Sequence, residues 1–142
     1  MLRAKAAAAF AEVGEPVVVE ETGLELAALG GFPGPLVRWM LEAVGAEGIA
    51  RTALALGDAR ARAVCRLAWT DGERRIIGGG ETAGELVLPP RGERGFGWDP
   101  VFVPAGEHRT YGELTDAEKD AIGHRGRAWR DLSRRLALAA EP

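Results

Sequence analysis

The sequence is poor in the residues on which several classes of protein depend. Its single cysteine, Cys65, excludes an internal disulfide and lies in an alternating apolar run, where a small buried thiol is the ordinary expectation. A reducing compartment, the cytoplasm, follows as the expected location. Basic residues do not dominate: 18 Lys and Arg stand against 21 Asp and Glu, for a net charge of −3. That balance leaves no global positive field, so nucleic acid is not an expected partner. No stretch approaches the roughly 18 consecutive apolar residues of a membrane helix, and no membrane partner is expected either. Met1–Lys5 and the alanines that follow imitate the start of a signal peptide, but Glu12 interrupts them. There is no Walker-type phosphate loop, no Gly-x-Gly-x-x-Gly, no internal repeat and no low-complexity linker.

What is present fits an α/β domain. Hydrophobic residues make up 46% and charged residues 27%, close to globular averages, and 142 residues suffice for one domain rather than two. Leu2–Val13 is alanine-rich and predicts a helix stopped by Gly14. Val17–Val19 predicts a short buried strand, parallel if it lies inside a sheet. The loop Gly30–Pro35 precedes a helix with Leu36, Val37, Met40, Leu41 and Val44 at helical spacing, ended by Gly45, and a second helix covers about 47–56. From Ala59 the period changes to two, with Ala61, Ala63, Cys65, Leu67 and Trp69 on one face. Asp71-Gly72 predicts a hairpin into Arg74–Ile77, which Gly78-Gly79-Gly80 should weaken or bend. Val101–Val103 reads as a strand, Thr115 with Glu118 as a capping box, and the segment from Gly123 to about Ala139 as a final helix.

Three clusters could carry chemistry. Glu20-Glu21-Thr22-Gly23 follows the expected strand, and two carboxylates there suit Mg²⁺, or are simply two solvated acids. Gly95-Phe96-Gly97-Trp98-Asp99-Pro100 offers aromatic faces for a flat base and an acid for ring N–H groups; alternatively the rings cap the core. His124-Arg125 opens the last helix with donors that match the O6 and N7 of a purine, or forms a solvated basic helix start. Lys5, Arg38 and Lys119 are single cations. Together these parts make up a purine nucleoside triphosphate site.

Their order also resembles that of the inosine triphosphate pyrophosphatases, the non-canonical purine NTP pyrophosphatases. The likeness rests on Val19-Glu20-Glu21-Thr22-Gly23-Leu24, Ala28–Pro35, Arg38-Trp39, Pro90-Arg91-Gly92, Gly95–Phe102, Tyr111–Leu114, Glu118-Lys119 and His124-Arg125. The resemblance implies an α/β fold with a mixed sheet and flanking helices, two-lobed around a central nucleotide cleft, usually in a homodimer. It implies Mg²⁺-dependent hydrolysis of ITP, dITP or XTP to monophosphate and pyrophosphate. Glu21 corresponds to the metal-binding, water-activating acid, with Glu20 beside it as a second ligand. Lys5 falls at the family's phosphate-contacting lysine, and Thr22 and Arg38 belong to the substrate contacts. Phe96, Gly97, Trp98, Asp99, Lys119, His124 and Arg125 line the base and sugar end.

The chain departs from the family pattern in having Glu at position 21 for the usual Asp and Gly123 for a frequent Ser. It also begins after the family's first strand, its Ser/Thr-x-Asn-x-x-Lys phosphate loop and a further metal-binding acid. The expectation is therefore a single domain over residues 1–142, N-terminally truncated relative to the family. The alternative is a nucleotide-binding remnant or partner subunit of the same fold that does not hydrolyse.

Overall fold

The computed structural model describes residues 1–141. Leu2–Val13 forms α1, and Gly14 closes it in the left-handed conformation (φ 75°) that glycine adopts without penalty. β1 spans Val17–Leu26 and runs through the acidic tetrapeptide instead of ending before it. A 3₁₀ turn at Ala27–Leu29 and the two-residue β2, Pro33–Gly34, lead into α2, Val37–Ala55. Gly45 (φ 71°, ψ 174°) breaks α2, so the two expected helices are present end to end. β3 covers Arg60–Thr70, β4 Arg75–Leu86 and β5 Phe102–Pro104. Two helices complete the chain, α3 at Asp116–Ile122 and α4 at His124–Ala139.

The strands form one sheet in the order β2-β1-β3-β4-β5. The α/β class with flanking helices is as expected. However, every described ladder is antiparallel, where a mixed sheet and a parallel β1 were anticipated. The reason is visible in the register: Leu26 at the end of β1 pairs with Ala61 at the start of β3, so the chain re-enters the sheet at the end it left. The hairpin from β3 to β4 is wider than a two-residue turn. Thr70 pairs with Arg75, and the Asp71 carboxylate accepts from the backbone N–H groups of Glu73 and Arg74 between them.

Alternation along β3 decides which helix goes where. Ala61 and Ala63 pack under α2 with Ile49, Ala50 and Ala53, while Cys65 and Leu67 on the same face pack under α4 with Ala128 and Leu132. Ala68 faces the other way and meets Leu2 and Ala6 of α1, together with Val19 and Ile77. Two helices thus share one face and leave a cleft between them. The glycines of β4 do not end the strand; they let α4 lie directly on it. A Cβ at Gly78 would stand 2.7 Å from the backbone nitrogen of Leu132, and one at Gly80 would collide with the backbone at Ala128 and His124. No helix among the described residues is long and apolar enough to cross a membrane.

Candidate nucleotide site

A cavity of about 470 Å³ opens between the start of α2 and the α3–α4 junction. Arg38 and Leu41 line one side and Lys119, His124 and Arg125 the other, with Thr22 of β1 and the loop 95–99 between them. Eight of the sequence-expected substrate residues after Thr22 therefore converge: Arg38, Phe96, Gly97, Trp98, Asp99, Lys119 and the His124-Arg125 pair all border one space.

The loop 95–99 is held by Asp99, which is only 3% exposed. Its Oδ2 accepts from the Phe96 backbone N–H at 2.9 Å and from Lys119 Nζ at 2.6 Å. Gly95 has φ 72°, and a Cβ there would strike the same carboxylate, so glycine is required by both conformation and space. This closure separates the two aromatics. Phe96 is 66% exposed, with the Lys119 ammonium 5.2 Å and the Arg125 guanidinium 5.6 Å from its ring centroid. Trp98 is 8% exposed and packs edge-on against Phe102 at 5.4 Å, also meeting Tyr111 and His124. Of the pair expected to stack on a base, Phe96 offers an open face, whereas Trp98 is a buried wall of the cavity.

His124 is 6% exposed. Burial, reinforced by the positive charges of Lys119 and Arg125, pushes its imidazole down to about 4, so the ring is neutral at pH 7. Tyr111, fully buried, stacks on it with centroids 5.7 Å apart, and its hydroxyl lies 3.3 Å from Nδ1. A neutral ring that accepts the Tyr111 proton at Nδ1 carries its own proton on Nε2. Sequence reasoning placed Tyr111 in a motif but gave it no role. Nothing in its local pattern signals a contact that only the return of α4 creates.

The acidic pair is where sequence and structure diverge most. Because β1 is regular through this segment, Glu20 and Glu21 leave the sheet on opposite faces. Glu20 pairs across the ladder with Leu67 and faces α4, and Glu21 pairs with Arg66 on the α1 side. Both Glu20 oxygens are taken by Arg125, whose Nη2 and Nε donate to Oε1 and Oε2 at 2.7 Å each. This pairing holds the Arg125 guanidinium above its ordinary pKa. Lys5 reaches the same stretch of β1 from α1, and its ammonium donates to the Glu20 carbonyl. Arg38 stands at the rim, paired with Glu42 at 3.3 Å.

No cluster of three or more His, Cys, Asp or Glu side chains that could hold an ion occurs among the described residues. The expected two-carboxylate Mg²⁺ site does not fit this donor set, because alternation parts the acids and Arg125 occupies one of them. Of the two acids, only Glu21 has no ion-pair partner among the described residues, and a single carboxylate with water and substrate phosphate is a sufficient donor set for Mg²⁺.

Residues 1–135 match the Ham1 family. The chain is similar to the dITP/XTP pyrophosphatase of Ignicoccus hospitalis, with 39% identity over 123 residues, which are 86% of this chain and 65% of that protein. It thus spans just under two thirds of the length of that curated relative. Among solved structures it is similar to a HAM1 protein from Coxiella burnetii, with a TM-score of 0.84 and 32% identity over 95% of this chain and 74% of the other. It is also similar to the nucleoside-triphosphatase, dITP/XTP pyrophosphatase, of Mycobacterium abscessus, with a TM-score of 0.71 and 31% identity over 98% and 74% of the two chains.

Proposed function

Since this chain belongs to the Ham1 family, we propose that it is a nucleoside triphosphate pyrophosphatase acting on deaminated purine nucleotides, ITP, dITP and XTP. The observation that carries this reading is the convergence of an exposed Phe96 ring, the Asp99–Lys119 pair, His124 and Arg125 on one cavity. The name of the Ignicoccus relative supports the same substrate class.

In this reading the base stacks on Phe96, while the Nε2–H of His124 and the guanidinium of Arg125 donate to its 6-keto oxygen. Adenine presents an amino donor at that position and leaves those donors unpaired in a partly desolvated site, the arrangement that discriminates most strongly. The triphosphate runs from the cavity past Thr22 and over the edge of β1, which β2 covers only at Leu24 and Glu25, so that it meets Lys5 and Glu21 on the α1 side, with Arg38 adding positive charge at the rim. Glu21 orients the attacking water and would hold Mg²⁺ together with phosphate oxygens. When bound, that ion supplies Lewis-acid polarisation of the phosphate. Water attacks the α-phosphorus, the bond from that phosphorus to the bridging oxygen breaks, and pyrophosphate leaves. The protein works in the cytoplasm as a homodimer, sanitising the nucleotide pool.

The test is pyrophosphate release from ITP, XTP and ATP with Mg²⁺. ITP and XTP should be hydrolysed far faster than ATP, and release no faster than buffer for all three refutes the proposal. Glu21→Gln should abolish turnover while ITP still binds; retained turnover would show that another group orients the water.

A further inference from the structure

Adjacent carboxylates on one strand invite a shared role, yet the geometry divides them. Glu20 lies on the face covered by α4, and its carboxylate is met there by a guanidinium 105 residues away in sequence. The two contacts, Nη2 to Oε1 and Nε to Oε2, are equal in length and form the parallel fork that fixes both distance and plane. Cys65, across the ladder from Thr22, places its Sγ 3.8 Å from Oε2. Burial and the Glu20 charge push that thiol up to about 12, so it stays protonated and donates to the carboxylate. Among the described residues, both hydrogen-bond partners of the Glu20 carboxylate, Arg125 and Cys65, are donors. None of its surroundings resembles a metal shell.

The fork also sets what Arg125 can still do. With Nε–H and one Nη2–H committed to Glu20, three N–H groups remain, and the guanidinium is held 5.6 Å from the centroid of Phe96. A free arginine at a helix start would sample many rotamers. One locked against Glu20 presents its remaining donors beside the stacking surface before any ligand arrives.

We propose that Glu20 is the positioning residue for Arg125 and not a ligand of the metal. The assignment rests on the reading that Arg125 contacts the base; it separates two acids that the sequence presents as equivalent. Glu21 keeps the metal-side role, and Glu20 acts only through Arg125.

The test compares Glu20→Gln and Glu20→Asp with the wild type. In the nucleotide-free protein, the Arg125 Nε–H should give a resolved, slowly exchanging ¹H–¹⁵N signal that is lost in Glu20→Gln and retained in Glu20→Asp. With ITP at saturating Mg²⁺, KM should rise about 10-fold or more in Glu20→Gln, as expected for losing hydrogen bonds to a charged group. The preference for ITP over ATP should fall with it, while the Mg²⁺ concentration giving half-maximal rate stays where it was. Combining Glu20→Gln with Arg125→Lys should cost no more than Arg125→Lys alone. A raised Mg²⁺ requirement with an unchanged KM overturns the proposal and makes Glu20 a metal ligand. An Nε–H signal that survives Glu20→Gln overturns it without reference to activity, as does full additivity in the double variant. Loss of that signal in a protein that prefers no deaminated nucleotide would instead refute the functional reading and leave the ion pair standing.

Discussion

Lowering the pH from 7 to 5 should destabilise the fold through one identifiable group, His124. Burial, with Lys119 and Arg125 adding positive charge nearby, lowers its imidazole to about 4 from an ordinary 6.5. The folded state therefore binds fewer protons than the unfolded state across that interval, and stability falls as pH falls through it. Linkage with those two values gives a loss of about 2 kcal/mol between pH 7 and pH 5, and about 3 kcal/mol by pH 4. The carboxylates held low by ion pairs and backbone donors, Asp58, Glu118 and Asp131 at about 2, lose their contribution mainly below about pH 5, so the interval from pH 7 to pH 5 is the one left to the histidine. Urea unfolding at pH 7, 6, 5 and 4.5 measures the slope. His124→Gln, which cannot titrate, should flatten it by about 2 kcal/mol between pH 7 and pH 5 while lowering the absolute stability. Equal slopes in the two proteins would refute the argument that burial holds this ring neutral. The assay needs no substrate, so its outcome is independent of what the cavity binds.

Two further perturbations separate roles that the sequence leaves merged. Phe96→Ala should leave the urea midpoint almost unchanged and raise KM for ITP about 5- to 150-fold, the range for one base–aromatic stack. Trp98→Ala should instead cost about 3–5 kcal/mol of stability, because that ring is packed against Phe102, Tyr111 and His124. Gly78→Ala introduces a methyl 2.7 Å from Leu132 and should lower stability by about 1–3 kcal/mol, with a larger fall in Tm than Gly79→Ala, whose added methyl would meet only the Cys65 carbonyl oxygen at 3.7 Å.

Signals that act within a few residues were legible. The capping box is complete, with Thr115 Oγ1 accepting from the Glu118 N–H at 3.1 Å and Glu118 Oε1 accepting from the Thr115 N–H at 3.0 Å. The stops at Gly14 and Gly45 stand where positive φ demands glycine. The odd-numbered face of β3 was readable because period two depends only on the pleat. Applied onward through Glu20-Glu21, the same period would have parted the two acids. A strand read as ending at Val19 hides that alternation, which holds because β1 continues to Leu26. The length of β4 was hidden for a different reason: its glycines look like strand breakers until α4 is known to lie on them.

The sequence by itself picked out residues that border the cavity: the glycine–aromatic–Asp motif and the His124-Arg125 pair stand out within a few positions, and Lys119 joins them only through their combination. Tertiary structure decided what each one does. Phe96 faces the cavity and Trp98 supports it because Asp99 closes the loop between them. Glu20 serves Arg125 because the pleat sends it toward α4, whereas its neighbour Glu21 is sent the other way. Those choices depend on strands and helices that meet only after the chain has closed on itself, and no local pattern encodes a contact across 105 residues.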